Sequence, residues 1–359
     1  MSDRAARLTE RFEEAEIDVL LVTDLVNVRY LTGYTGSNGL ALVGPAERMF
    51  ISDFRYLEQA AEEVDDSFAR RIAAAPQGLL DLVDEALPTG GLRLGFEADH
   101  VSVSQHQQLR RQLRDDVALV STSRLVETLR AVKEPDELAH IKAATALADS
   151  AFERLLREPI VGRTERELAL TLEHDMRQRG AERVSFETIV AAGAHGALPH
   201  AQLRDVAIRE GDLVVIDWGA QLDGYCSDCT RTVAAGDPGT EARNVYELVL
   251  EAQLAGLDAV RAGRGGRDVD QVAREVIASS GYGEQFGHGL GHGVGLAVHE
   301  RPTLSTRSED ELQVSNVVTV EPGVYVPHRF GVRIEDLVVV TDDGCEILTC
   351  SPKQLLVVD

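Results

Sequence analysis

Lysine is nearly absent from this 359-residue chain: Lys133, Lys142 and Lys353 are the only three among 36 basic residues, the rest being arginine. Against 60 acidic residues this leaves a net charge of −24. Sequence-independent nucleic-acid binding needs clustered basic side chains, so no nucleic-acid partner is expected. An acidic, lysine-poor composition suits a salt-rich cytoplasm, although a GC-rich genome would favour arginine equally. Long apolar runs are also missing. None approaches the roughly 20 residues that span a bilayer, and the charged N-terminus opens no signal segment, so no membrane partner and a cytoplasmic location are expected. Cysteine is scarce, with four residues, too few for a disulfide scaffold.

Cys226-Ser227-Asp228-Cys229 does have the C-x-x-C spacing of zinc and redox sites. A four-cysteine zinc site would have to recruit the distant, more widely spaced Cys345 and Cys350. A thioredoxin-like motif opens a helix, whereas Gly224 to Val233 alternates like a strand. The two thiols are therefore expected to be small strand residues flanking something more important.

With this length two domains are expected. Residues 3–15 read as a helix, 17–23 as a buried strand, and Tyr30 to Gly39 as a glycine-punctuated turn region. Segments 40–43 and 48–51 form a strand pair, Asp53 caps a helix, and strands at 92–97 and 117–120 enclose another. This alternation predicts an α/β domain. Near Pro135 a long helix begins, with Leu138, Ile141, Ala144, Ala148, Phe152 and Leu155 on one face. Thr164 and Glu167 make a capping box for the next helix, and two more helices follow at about 241–261 and 268–280. Segments 211–234 and 317–340 are strand-like.

The stretch from Phe286 to Glu300 sets His288, His292 and His299 among five glycines, Gly287, Gly289, Gly291, Gly293 and Gly295. Histidine is the commonest metal ligand, and glycine lets backbone approach closely. Val214-Val215-Ile216-Asp217 ends an apolar strand on a carboxylate, and Asp228 follows on the next strand. An antiparallel hairpin would set the two face to face. Glu321 and Glu335 each end a further apolar strand. Four carboxylates and the His292 imidazole make a hard, oxygen-rich site, suited to two divalent cations that share carboxylates.

With these residues the chain resembles the pita-bread metallopeptidases, specifically the aminopeptidase P and prolidase (Xaa-Pro peptidase) family. The likeness spans nearly the whole chain and includes Asn27 to Gly33 and Leu129 to Pro135. It implies a creatinase-like α/β N-terminal domain over 1–128 and an α+β pita-bread catalytic domain over 129–359. It further implies that Asp217, Asp228, His292, Glu321 and Glu335 hold two divalent ions, most often manganese, with cobalt or zinc as alternatives, Asp228 and Glu335 bridging them. His200, His288 and His299 match the family's supporting and substrate-contacting histidines, and Arg333 its carboxylate-supporting arginine. A homodimer is expected by the same analogy. His195 and His328 match nothing and are expected in a solvent-facing loop and turn.

The implied reaction is hydrolysis of the bond between an N-terminal residue and a following proline in short peptides. A metal-activated water would attack, His299 or His288 would help stabilise the oxyanion, and Glu321 would carry the proton to the proline nitrogen. Archaeal-type prolidases carry an arginine four residues after the position of His299. Here that position is Thr303, with arginine displaced to Arg301. The expectation is therefore an Xaa-Pro aminopeptidase, with a dipeptide-restricted prolidase as the alternative. A non-catalytic binding protein on the same fold would be marked by lost ligands, and none is lost.

Overall fold

Capped amphipathic segments become helices and apolar segments strands in the computed structural model, which describes residues 3–358. The chain divides into two units, Met1–Arg130 and Ala131–Asp359.

In the first unit, α1 (Arg4–Thr9) precedes β1 (Val19–Val22), α2 (Leu25–Thr32), β2 (Leu40–Val43), β3 (Arg48–Asp53), α3 (Leu57–Glu63) and β4 (Ala69–Ala73). Then come α4 (Val83–Ala86), β5 (Leu92–Glu97), α5 (Val103–Gln112), β6 (Val117–Thr122) and α6 (Leu125–Ala131). The six strands form one mixed sheet in the order β4-β3-β2-β1-β5-β6. The expected strand pair is present, with Leu40 opposite Ile51. The expected turn over Tyr30 to Gly39 is only partly a turn, because Tyr30, Leu31 and Thr32 end α2. Asp24 caps that helix by accepting from the Val26 amide, and Gly33 closes it at φ +80°. The cap and the left-handed glycine override the β-branched composition between them.

The second unit begins with α7 (Pro135–Leu155) and α8 (Glu165–Gln178), followed by β7 (Arg183–Val184), β8 (Ile189–Ala192), β9 (Leu213–Trp218), β10 (Ala220–Leu222), β11 (Tyr225–Cys226) and β12 (Cys229–Ala235). Helices α9 (Thr240–Ala259) and α10 (Gly266–Ser279) lead to β13 (Gly291–Gly293), β14 (Glu300–Leu304), β15 (Val317–Val320), β16 (Gly323–Val326), β17 (Phe330–Arg333), β18 (Asp336–Val340), β19 (Cys345–Ile347) and β20 (Val357–Val358). Thr164 and Glu167 form the expected capping box of α8. Two larger sheets result, β20-β12-β9-β8 and β14-β13-β15-β18-β19. The expected α/β and α+β architectures are both present. No described helix is long and apolar enough to cross a membrane.

Strand alternation decides which side chains meet the helices. Val214, Ile216 and Trp218 of β9 join Ala148 and Phe152 of α7 and Leu168 and Leu172 of α8 in one core. The Trp218 ring stacks on Phe152 with centroids 4.1 Å apart. Val318 and Val320 of β15 and Val338 of β18 join Val249 of α9 and Ala273 of α10 in another. With a period of two, Asp217, Thr319, Glu321, Arg333 and Glu335 point away from those cores.

Candidate metal centre

The face opposite the helices gathers the acids. Asp217, Asp228 and Glu335 each bring a carboxylate oxygen within 4.8 Å of the others. The expected direct pairing of Asp217 with Asp228 is not formed. Asp217 faces Thr230 across β9 and β12, and Asp228 sits diagonally, two residues earlier. The small β10–β11 hairpin between the strands moves the register. Glu335, between β17 and β18, joins through its own backbone: its amide donates to the Thr230 carbonyl at 3.1 Å. The Thr230 hydroxyl then donates to Glu335 Oε2 at 2.7 Å.

His292 completes one side. A carbonyl oxygen only accepts, so the 3.1 Å contact of His292 Nδ1 with the Gly293 carbonyl puts the proton on Nδ1. The Nε2 lone pair then faces Glu321 Oε1 at 3.4 Å and Asp228 Oδ2 at 3.7 Å. Burial lowers the His292 pKa and keeps the ring neutral, as a metal ligand must be. The Thr319 hydroxyl accepts from the His292 amide at 3.0 Å and donates to Glu321 Oε1 at 3.1 Å. One threonine thus sets the spacing of two candidate ligands.

Arg333 supports the other side. It donates to Asp217 Oδ2 at 2.6 Å, to Thr230 Oγ1 at 3.0 Å and to the Tyr325 hydroxyl at 2.8 Å. The Tyr325 hydroxyl in turn lies 3.0 Å from His288 Nε2, while His288 Nδ1 meets the Gly289 carbonyl at 2.8 Å. The proton order runs from Arg333 through Tyr325 to His288, whose Nε2 accepts. His299 packs edge-on against His292, ring centroids 4.4 Å apart. His200, exposed on the loop after β8, lines the same cavity of about 1010 Å³ as the other eight expected site residues.

The electrostatics leave the cluster short of positive charge. Burial first, then repulsion from Glu335, Asp217 and Glu321, raises the Asp228 pKa well above the carboxylate range. Burial first, then Glu321 and Asp217, does the same for Glu335. Burial also raises Glu321. Arg333 alone cannot neutralise four acids. Moreover, Asp217 Oδ1 is buried and has no hydrogen-bond partner. A lone buried acceptor among carboxylates, beside an unprotonated imidazole nitrogen, is a donor set that fits hard divalent cations.

Other expected residues fall elsewhere. Cys226 and Cys229 are buried, and burial pushes the Cys226 thiol up to about 11 and Cys229 well above its ordinary value. Neither offers a thiolate. His328 occupies an exposed turn at φ +63°. His195 corrects the expectation of a solvent-facing loop: its side chain is 8% exposed, and Nδ1 sits 2.9 Å from the fully buried Glu165 carboxylate. Arg301 and Thr303 are both engaged by Asp310, Arg301 through its guanidinium and Thr303 through its amide at 2.8 Å. Neither lines the cavity. The sequence reading missed Thr230, Thr319 and Tyr325, which carry no chemistry of their own. Their only sequence signal is strand parity with the acids.

Residues 139–342 match the family model described as Metallopeptidase family M24, and residues 4–132 match that of the Creatinase/Prolidase N-terminal domain. The chain is 36% identical over 365 residues to the Xaa-Pro dipeptidase of Pyrococcus furiosus, covering 99% of this chain and 100% of that protein. Among solved structures, the Xaa-Pro dipeptidase from Bacillus anthracis superposes with a TM-score of 0.95 at 41% identity, covering 99% of each chain. The X-Pro aminopeptidase from Thermotoga maritima MSB8 superposes with a TM-score of 0.89 at 38% identity, covering 99% of this chain and 100% of that one.

Proposed function

The chain belongs to metallopeptidase family M24, and from that premise we propose that it cleaves the peptide bond preceding proline, with Xaa-Pro dipeptides as its main substrates. The relatives named Xaa-Pro dipeptidase favour the dipeptide reading over the aminopeptidase expected from Thr303. The engagement of Thr303 and Arg301 by Asp310, together with the likeness to an X-Pro aminopeptidase, supports longer Xaa-Pro peptides as the second reading.

The observation that carries the proposal is the unpartnered Asp217 Oδ1 within a buried cluster of carboxylates. In this reading Asp217, Asp228, His292, Glu321 and Glu335 would hold two divalent ions, Asp228 and Glu335 serving both. Manganese is the cation, and a cytoplasmic homodimer the working form. When bound, such ions polarise the scissile carbonyl and acidify a water to a nucleophile near neutral pH.

The chain's own residues do the rest. The Glu321 carboxylate, beside the other acids of the cavity, is placed to accept the water's proton and return it to the departing proline nitrogen. That nitrogen carries no hydrogen, so the pocket cannot hold the substrate by an N–H there. Arg333 fixes Asp217 and offsets its charge. Tyr325 occupies His288 Nε2, so the oxyanion role falls to His299 and His288 serves to position. His200 faces the substrate from the loop after β8.

The test compares an Xaa-Pro dipeptide with the matching tripeptide on manganese-loaded protein, before and after chelation. A higher kcat/KM for the dipeptide, abolished by chelator, is expected. A tripeptide preference of about tenfold or more moves the assignment to aminopeptidase. Cleavage of neither by fully loaded protein ends the proposal.

A further inference from the structure

Glu165 stands at the first position of α8 and is fully buried. The helix does not need it as a cap, since Thr164 and Glu167 form the capping box. Its carboxylate hydrogen bonds go instead to a single segment. It accepts from the Ala192 amide at 3.0 Å and meets His195 Nδ1 at 2.9 and 3.0 Å, at the start of that segment. It accepts from the Arg204 amide at 3.2 Å, Nε at 3.1 Å and Nη2 at 2.8 Å, at the end. A carboxylate removed from water is costly unless paired and hydrogen-bonded, and these contacts supply both.

Between the two anchored ends lie Pro199, His200, Ala201, Gln202 and Leu203, all lining the cavity. The Pro199 carbonyl also accepts from Arg333 Nη1 at 3.3 Å, which ties the middle of the loop to the group that holds Asp217. Arg166, next on α8, adds contacts to Asp205 at 2.8 Å and to the Leu203 carbonyl at 3.2 Å.

We propose that Glu165 is a positioning residue: one buried carboxylate clasps both ends of the 192–204 loop and so presents His200 to the substrate. His195 and Arg204 are the two arms of the clasp. Without it, the entropy of closing the loop is lost again each time substrate binds, and His200 is no longer preorganised. The link to His200 rests on the cavity being the peptide site; the clasp on the loop does not.

The test uses the full-length, manganese-loaded protein. Hydrogen exchange of amides 193–204 is compared between wild type, Glu165→Ala and Arg204→Met. Arg204 is 43% exposed at its side chain, so its variant keeps the comparison alive if Glu165→Ala does not fold. Exchange in this segment should rise by about tenfold or more while β9 and α7 are unchanged. On an Xaa-Pro dipeptide, KM should rise by about tenfold with metal content retained, and Glu165→Ala should add less than about threefold in a His200→Ala background. Unaltered exchange at 193–204 overturns the clasp even if the protein cleaves no dipeptide, which separates its failure from that of the peptidase reading. A full additional loss in the His200→Ala background overturns the link to His200.

Discussion

His292 can offer a lone pair to a cation because the carbonyl of its own neighbour, Gly293, takes its other nitrogen's proton. Glu321 is held just as locally, by Thr319 two residues earlier, and the two tasks proposed for it, binding and proton transfer, are separable. Glu321→Gln keeps one oxygen donor but cannot accept a proton. We expect metal occupancy to be restored under saturating manganese while kcat stays down by roughly 10²–10⁴-fold, about 3–5 kcal/mol of barrier. Occupancy and kcat measured on one sample decide the point, and recovery of both together would reduce Glu321 to a ligand. Asp217, Glu321 and Glu335 stand out in sequence because each ends an apolar run, where a charge has no packing reason to stand, whereas Asp228 stands out by its place on the following strand and His292 by its glycine-spaced histidine stretch. Glu165 was not legible. As the residue after a cap it looks like any first-turn acid, and its partners His195 and Arg204 lie across a loop whose path no local pattern fixes.

Among the elements, β13 is closely enclosed on both sides. A methyl group on Gly291 would meet the Thr319 carbonyl oxygen at 2.0 Å, and one on Gly293 the Arg301 carbonyl oxygen at 2.2 Å. The glycines let β13 lie between β14 and β15 with His292 aimed across the sheet. Gly291→Ala should therefore cost about 2–3 kcal/mol, roughly 5–10 °C in Tm for a unit of this size, and weaken metal binding through His292. Gly287, where a methyl meets nothing within 4 Å, is the internal control. Its alanine variant should melt within about 1 °C of wild type. Thermal unfolding with metal titration of both proteins checks this, and equal behaviour would refute the packing argument. The helices were readable from caps and periodicity, because Thr164, Glu167 and Pro135 act within a turn of themselves. The partner of Asp217 was not, because the β10–β11 hairpin shifts the register and only the paired strands reveal it.

For the whole molecule, the cluster couples stability to pH. In metal-free protein, burial and mutual repulsion raise Asp228 and Glu335 above the carboxylate range. The folded state then retains protons that the unfolded chain has released. Its stability therefore falls as pH rises from the ordinary carboxylate range through the raised values. Cations act in the opposite direction, since they bind the deprotonated groups and are displaced by protons. The difference in Tm between manganese-saturated and chelated protein should widen steadily as pH rises across that window, because the other titrating groups cancel in the subtraction. A difference independent of pH would mean that these carboxylates do not hold the metal.

Glu335 reaches Thr230 through backbone and side chain alike, and this joins strands made early and late in synthesis. A nascent chain carries Asp217 and Asp228 long before Glu321 and Glu335 exist, and two aspartates on an unfinished sheet chelate poorly. The missing half arrives only when β15, β17 and β18 dock, after the entropy of a long chain closure has been met. On the proposed ligand set, cation uptake would follow the docking of the last strands and would not nucleate this fold. It is a timestamp, set once the last strands are in place.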